Sequence, residues 1–322
     1  MTLIEEPLLT HIMPRDELAL DPNSIYLYGR GIEDRAILES NWRQAAEANG
    51  VTFLEVVEDA DTIRLLTVDS DVRLEFTGRS RADAVAFFAA ASTYIDITGM
   101  SYAAWAPLVL AAVESQSSVR VIYVEPTDYR RSNTPTQGMY FDLSEGFEGI
   151  RPIPGFAALG IRANSDWHLV AALGFEGVRF SYVINELEPA IDRVYPIVGV
   201  PGFRPEFAPH ALIANRADLS DLTVIPNIRF ARANCPFEMF HTLWQIHADL
   251  EGAQLRVAPI GTKPHGLGAV LYTISNPSLV QLVHDHPRRK ERRTLGTSNV
   301  CLYEVSTFCE SDLFQQPIKR ST

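Results

Sequence analysis

The residues best suited to chemistry stand together in one short segment, Gly261-Thr262-Lys263-Pro264-His265. The segment follows an apolar run and opens a helical pattern, and proline suits the first position of a helix. The start of a helix offers unpaired amides and positive partial charge, which favour an anion. We therefore predict that Gly261, Thr262, Lys263 and His265 contact a phosphate-like ligand. The alternative is a structural turn with a solvated lysine. The spacing is not that of a Walker A loop.

A similar turn occurs earlier, where Asp96 is followed by Thr98, Gly99 and Ser101. In both copies a glycine turn precedes a helix and a strand that closes at proline. Gly99 precedes Pro126 by 27 residues, and Gly261 precedes Pro287 by 26. Thr98, Gly99 and Ser101 are therefore candidate contacts for a hydroxyl or a base edge of the same ligand. An equally favoured alternative is that the first copy is a degenerate scaffold.

A basic segment runs from His284 to Arg293 and holds five cations. Because the planar fork of arginine suits phosphate, Arg288 and Arg289 are candidate ligand contacts. The alternative is a solvated loop or a surface that docks a partner. His284 and His286 have a spacing that also permits a metal cluster with His265, but no carboxylate or cysteine pattern accompanies them, and we predict no metal site.

Other polar residues also follow predicted strands. Arg204 and Glu206 stand in a loop rich in glycine and proline, which predicts either a ligand lid or a rigid connection. Two pairs begin helical patterns, Glu33 with Arg35 and Glu176 with Arg179. They are interpreted either as ligand contacts or as internal ion pairs or simple helix-start charges. If the protein is an enzyme, His265, His284 and Glu206 are the candidate acid–base groups.

Strands alternate with helical patterns throughout, which favours βαβ units and parallel sheets. We predict an α/β fold with two tandem Rossmann-like lobes, mainly parallel sheets and a pseudo-dimeric arrangement. The predicted boundaries are an N-terminal extension at 1–23, a first lobe at 24–131, a linker at 132–160, a second lobe at 161–310 and a tail at 311–322.

Composition narrows the classes of function. The 322 residues carry a net charge of −12, which argues against a general nucleic-acid coat. The three cysteines have no metal or disulfide spacing, and the first residues lack a signal-peptide pattern. No apolar run reaches the length of a membrane span. We expect a cytoplasmic protein without membrane contact.

The Asp-Ile-Thr-Gly turn at Asp96–Gly99 and the Ile-Gly-Thr-Lys-Pro turn at Ile260–Pro264 resemble those of CRISPR-associated Rossmann-fold (CARF-like) sensor domains. The resemblance implies a nucleotide or cyclic-oligonucleotide ligand, bound by Thr98, Gly99, Gly261, Thr262 and Lys263. Unlike that family, the chain has two lobes and no recognisable effector domain.

Three functions follow from these observations. The leading hypothesis is a non-enzymatic nucleotide or phosphate sensor, a subunit of a prokaryotic antiviral defence or regulatory assembly with a protein partner and no cofactor. The second is a hydrolase or transferase acting on a phosphodiester or N-glycosidic bond. The third is a structural subunit that docks its partner through the basic segment.

Overall fold

The computed structural model describes residues 9–318 apart from 32, 60–61, 68–69, 77–80, 137–138, 157–165, 222 and 292. The chain has a mixed α/β fold and divides into two compact units. Unit 1 comprises Met1–Tyr129, Ile153–Gly155 and Thr294–Ser311. Unit 2 comprises Arg130–Pro152, Phe156–Arg293 and Asp312–Thr322.

The secondary structure follows the chain in this order. The strands are β1 (Thr10–Met13), β2 (Ile25–Tyr28), β3 (Thr52–Asp59), β4 (Thr62–Leu66), β5 (Asp71–Glu75), β6 (Thr93–Asp96), β7 (Val119–Val124), β8 (Asp128–Tyr129), β9 (Arg131–Thr136), β10 (Met139–Phe141), β11 (Ser144–Phe147), β12 (Trp167–Ala172), β13 (Val194–Gly199), β14 (Arg229–Ala231), β15 (Gln254–Pro259), β16 (Val280–Leu282), β17 (Pro287–Arg289), β18 (Thr294–Leu295) and β19 (Val300–Tyr303). The helices are α1 (Ser40–Ala48), α2 (Arg81–Ala89), α3 (Tyr102–Glu114), α4 (Gly177–Leu187), α5 (Phe207–Ala214), α6 (Arg216–Leu219), α7 (Pro236–Asp249), α8 (Lys263–Ser275), α9 (Val305–Cys309) and α10 (Asp312–Gln315).

Unit 1 is built on an eight-stranded sheet in the order β1-β19-β7-β6-β2-β3-β4-β5. Its four central strands, β7, β6, β2 and β3, are parallel, and antiparallel strands flank them on both sides. Apolar side chains of these strands form a core with aromatic contacts, in which the ring centroids of Tyr26 and Phe53 lie 5.0 Å apart. Parallel strands need both faces covered, which explains why β6 is buried along its whole length.

Unit 2 is built on a five-stranded, fully parallel sheet in the order β14-β13-β12-β15-β16. The chain leaves the central strand β12 first towards β13 and β14, and then returns to its other side with β15 and β16. The residues of β12 from Leu169 to Ala172 are all buried, as expected for an inner parallel strand. Two short antiparallel ribbons, β9 with β10 and β11 with β17, complete the unit.

The structure divides the chain differently from the predicted boundaries. Strand β1, from the predicted N-terminal extension, pairs with β19. Strand β19, assigned by sequence to the second lobe, lies inside the unit 1 sheet between β1 and β7. The predicted linker holds β9, β10 and β11, while its residues 157–160 lie outside the described part of the chain. An apolar run in the sequence predicts a strand but not the strand with which it pairs. The pairings of β19 with β1 and β7 were therefore not predicted.

Candidate anion-binding site

Two glycine turns meet at the carboxyl end of the unit 2 sheet. Strands β12 and β15 run side by side with Ala172 opposite Pro259, and Gly174 and Gly261 follow them. A Cβ atom on Gly261 would lie 2.6 Å from the carbonyl oxygen of Leu173. Only glycine allows such a close approach of one backbone to another. The glycines therefore set the shape of this edge, whether or not a ligand binds there.

Thr262 caps helix α8. Its hydroxyl accepts a hydrogen bond from the amide of His265 at 3.3 Å and donates one to the carbonyl oxygen of Ala233 at 2.7 Å. Because the hydroxyl proton is already used, Thr262 holds the turn in place rather than offering a donor to a ligand.

The backbone of the same turn does offer donors. Within the described residues, the amides of Gly261 and Thr262 donate no hydrogen bond to the protein, and both residues are partly exposed. Lys263 follows as the first residue of α8, and its side chain is largely buried. Two unpaired amides, the start of a 13-residue helix and an ammonium group thus lie within three consecutive residues. This arrangement favours an anion.

His265 is a fully buried residue that fastens α8 to the loop after β14. Its Nε2 lies 2.9 Å from the carbonyl oxygen of Arg232 and must donate to it, which leaves Nδ1 as an acceptor. The Nδ1 atom has no partner within the described part of the chain. Burial lowers the pKa of His265 to about 4, so the ring is neutral at pH 7. Such a ring positions the loop and is poorly placed for acid–base catalysis.

A second helix begins beside α8. The carbonyl oxygen of Arg232 also accepts the amide of Cys235, the residue that precedes α7. A Cβ atom on Gly268 of α8 would overlap the carbonyl oxygen of Pro236, the first residue of α7. The start of α7 therefore packs against the second turn of α8.

Arg204 and Glu206, the predicted lid residues, form an ion pair at 2.6 Å, and each is partly exposed. The Arg204 guanidinium lies over the ring of Phe207, 5.7 Å from its centroid. Phe207 is itself buried against Phe175. The amide of Ala233 donates to the carbonyl oxygen of Pro201 at 3.0 Å, which joins this loop to the one before α7. These contacts favour the rigid-loop interpretation.

The basic segment is largely structural. His284 is buried, and burial lowers its pKa. Arg288 and Arg289 lie in β17, which pairs with β11, and Lys290 contacts Asp142. Arg292 lies outside the described residues. The structure therefore gives Arg288 and Arg289 places in a ribbon.

The buried arginines of the two helix starts stabilise strand ends. Arg179 donates to both carboxylate oxygens of Asp285, at 2.7 and 2.8 Å, and to the carbonyl oxygen of Ile260 at 3.0 Å. Burial raises the pKa of Asp285, but the charge and hydrogen bonds of Arg179 outweigh it and leave this pKa low. Glu176 instead accepts the amides of Leu143 and Ser144. The prediction that Glu176 pairs with Arg179 is therefore wrong in its partner, since Arg179 pairs with Asp285.

Unit 1 has an equivalent turn with a different lining. The Oγ1 atom of Thr98 accepts the amide of Val124 at 2.9 Å, and Asp96 accepts the amide of Thr98 and the hydroxyl of Tyr26. Ser101 caps α3 through the amide of Ala104. Thr98 is buried, so its contacts lie inside the fold.

A carbonyl and an arginine complete the unit 1 turn. A Cβ atom on Gly99 would overlap the carbonyl oxygen of Gly29. Arg35, buried like Arg179, pairs with Glu33 at 2.6 Å and donates to the carbonyl oxygen of Val124. The internal ion-pair interpretation of Glu33 and Arg35 is therefore confirmed.

Comparisons of the chain with known proteins identify no family. No protein-family model, no curated protein and no solved structure matches the chain. Among the described residues, no group of three or more His, Cys, Asp or Glu side chains is arranged to hold a metal ion. Within the same residues, no helix combines the length and apolar character needed to cross a membrane.

Proposed function

We propose that unit 2 binds a small phosphate-bearing ligand of the nucleotide class at the Gly261–Lys263 turn. The observation that carries this proposal is the grouping of Lys263 with the unpaired amides of Gly261 and Thr262 at the start of α8. A phosphate oxygen accepts several hydrogen bonds at once, and the positive charge of Lys263 balances the negative charge of the phosphate.

The sheet order supports this choice of place. In open parallel α/β sheets, ligands bind beyond the carboxyl ends of the strands, at the point where the strand order reverses. In unit 2 that point lies between β12 and β15. The order β14-β13-β12-β15-β16 supports the proposal that unit 2 is a Rossmann-like lobe, and the parallel centre of unit 1 supports a second, modified lobe. A pseudo-dimeric arrangement of the two remains part of the proposal.

Binding without turnover is the favoured activity. His265 and His284 are both buried, with pKa values lowered by burial, and Glu206 pairs with Arg204. None of these candidate acid–base groups combines exposure with a free proton acceptor, so the hydrolase alternative gains no support. As the resemblance to CARF-like sensors implies, the protein would be a cytoplasmic sensor or subunit that passes its ligand state to a protein partner.

Ligand binding can be tested by isothermal calorimetry and thermal unfolding with inorganic phosphate, mononucleotides and cyclic oligonucleotides. A ligand present at about 100 times its Kd stabilises the native protein by about 2.7 kcal/mol. We expect Lys263→Met to weaken binding by about tenfold, because one charge-assisted hydrogen bond is lost. Lys263→Arg should retain most of the affinity.

Lys290→Met is the matched control, because Lys290 lies in the ribbon and its charge is paired with Asp142. Circular dichroism establishes that the Lys263 variants fold, since that side chain is buried. Equal affinities of wild type and folded Lys263→Met, or no binding by any member of the panel, would overturn the proposal. Recovery of a cleaved ligand would replace it with the hydrolase alternative.

A further inference from the structure

Unit 2 contains a groove that the phosphate proposal does not use. It has a volume of about 200 Å³ and lies between the start of α4 and the β11 ribbon. This is smaller than the roughly 300–1,000 Å³ of pockets that hold drug-sized ligands, so the groove suits one side-chain-sized group. Its lining residues are Phe141, Asp142, Ser144, Glu145, Gly146, Phe147, Phe175, Glu176, Gly177 and Val178.

Aromatic rings and one exposed aliphatic side chain provide the apolar part of this lining. Phe141 and Phe175 stack with ring centroids 4.5 Å apart, and Phe147 stacks on Tyr182 at 5.2 Å. These contacts fix the rings in place. Val178 is 45% exposed although it lies beside them. A group that binds here therefore meets a preformed apolar surface.

The polar part of the lining is acidic. Glu176 is held by hydrogen bonds from the amides of Leu143 and Ser144, so its carboxylate has a fixed position. Glu145 is exposed and has no ion-pair partner within the part of the chain that the structure describes. The charge of Asp142 is balanced by Lys290.

One cation lies beside the groove. The guanidinium of Arg288 lies 3.2 Å from the place that a Cβ on Gly146 would take. The charges of Asp142 and Lys290 cancel each other. The two carboxylates of Glu145 and Glu176 then exceed the single positive charge of Arg288 by one. The start of α4 offsets part of that excess, since a helix N-terminus carries about half a positive charge.

We propose that this groove binds a guanidinium group, such as that of an arginine side chain. A guanidinium is planar and stacks on aromatic faces, while its forked N–H donors reach a carboxylate. Phe147 and Phe175 line the groove and supply aromatic surface for this contact, and Glu145 supplies the unpaired carboxylate. An uncharged aromatic group would leave Glu145 unused, and an anion would be repelled by it. The site is independent of the proposed phosphate site.

The test uses the full-length protein and a fluorescein-labelled glycine-rich peptide with one central arginine. Fluorescence anisotropy measures its binding, and a peptide with citrulline instead of arginine provides the neutral isostere. We expect the arginine peptide to bind at least about fivefold more tightly than the citrulline peptide. Binding should weaken with added salt, because the groove is open to solvent.

Two variants address the groove itself. Glu145→Gln removes the unpaired charge and should weaken binding by about fivefold, and Val178→Trp should fill the groove and abolish binding. Glu148→Gln is the matched control, because Glu148 is exposed near the same ribbon but pairs with Arg151 outside the groove. Both altered positions are exposed, so neither change should unfold the protein.

Competition with N-acetyl-arginine amide distinguishes the source of the guanidinium. Displacement of the peptide at similar concentrations indicates a free small molecule, whereas failure to displace it indicates an arginine displayed by a partner polypeptide, and both results support the site. Equal binding of the citrulline peptide would overturn the proposal. So would binding that survives both Glu145→Gln and Val178→Trp, or no binding at all. Loss of phosphate binding in Lys263→Met would leave these results unchanged.

Discussion

The turn at Gly99–Ser101 in unit 1 and the turn at Gly261–Lys263 in unit 2 share one backbone design. Each places a glycine against the carbonyl of the neighbouring strand end, caps a 13-residue helix with a hydroxyl and lies near a buried arginine that binds a strand-end carbonyl. The buried charges near them differ. Unit 1 buries Glu33, Asp96 and Glu125 in addition to Arg35, whereas unit 2 buries Lys263 in addition to the pair of Arg179 with Asp285.

That difference separates structure from binding. Because the glycine, the cap and the buried arginine occur in both turns, they are explained by folding alone. The buried ionisable side chains of unit 1 near its turn are thus mainly acidic, whereas the turn of unit 2 carries a buried lysine. An anion would be repelled by the first turn and attracted by the second.

The largest expected effect tests whether the two buried arginines are equivalent. Arg35→Met and Arg179→Met each leave a buried carboxylate, that of Glu33 or of Asp285, without its cation. We expect each change to lower the free energy of unfolding by about 3–5 kcal/mol, measured by urea denaturation. Arg151→Met, which removes an exposed pair with Glu148, should cost less than about 1 kcal/mol.

Adding Asp285→Asn to Arg179→Met should recover part of the loss, because the second change removes the unpaired charge. A small cost for one arginine and a large cost for the other would break the equivalence of the two turns.

The next effect distinguishes the turns by pH. The third residue of the helix is His265 in α8 and Ala104 in α3, so only unit 2 carries a titratable group there. The pKa of His265 is about 4 in the folded protein and 6.5 in the reference state. Below pH 6.5 the unfolded chain takes up a proton that the folded chain does not, so stability falls as the pH drops towards 4.

Urea denaturation at pH 7 and pH 5 measures this dependence. We expect the wild type to lose on the order of 2 kcal/mol more than His265→Gln, whose amide can still donate to Arg232. His247, whose pKa burial also lowers to about 4, should leave a residual pH dependence in that variant. Identical losses in the wild type and His265→Gln would show that His265 does not stay neutral in the folded state.

The smallest effect compares the two glycines. Alanine at Gly99 would overlap the Gly29 carbonyl, and alanine at Gly261 would lie 2.6 Å from the Leu173 carbonyl. Overpacking against backbone costs about 1–3 kcal/mol, and we expect the Gly99→Ala cost to be the larger. Hydrogen exchange with mass spectrometry should localise each loss to its own unit.

The control for this pair is Gly146→Ala, whose new methyl group would meet only the flexible end of the Arg288 side chain. Its effect on the free energy of unfolding should stay within about 0.5 kcal/mol. If Gly261→Ala left the free energy of unfolding unchanged, the two turns would differ more than their backbones suggest. Gly261 would then serve ligand binding, whereas Gly99 serves packing.

Local patterns predicted much of unit 2 and part of its site. Apolar runs and glycine turns predicted the strands and helices of this unit. Pro236 and Pro264 predicted the starts of α7 and α8. The sequence could not show that Arg179 pairs with Asp285, 106 residues away, rather than with a near neighbour. Nor could it show that the hydroxyl of Thr262 serves as a cap, because capping and ligand binding use the same residue type at the same place.

The position of β19 links the fold of unit 1 to the order of protein synthesis. This strand pairs with β7 on one side and β1 on the other, yet it is made after residues 130–293 of unit 2. A ribosome adds about 5–20 residues per second, so unit 2 can fold while unit 1 still lacks an interior strand. During that interval the apolar strand β7 presents an open edge to other nascent chains. Synthesis of β19 thus closes the sheet of the unit whose first strands were made long before.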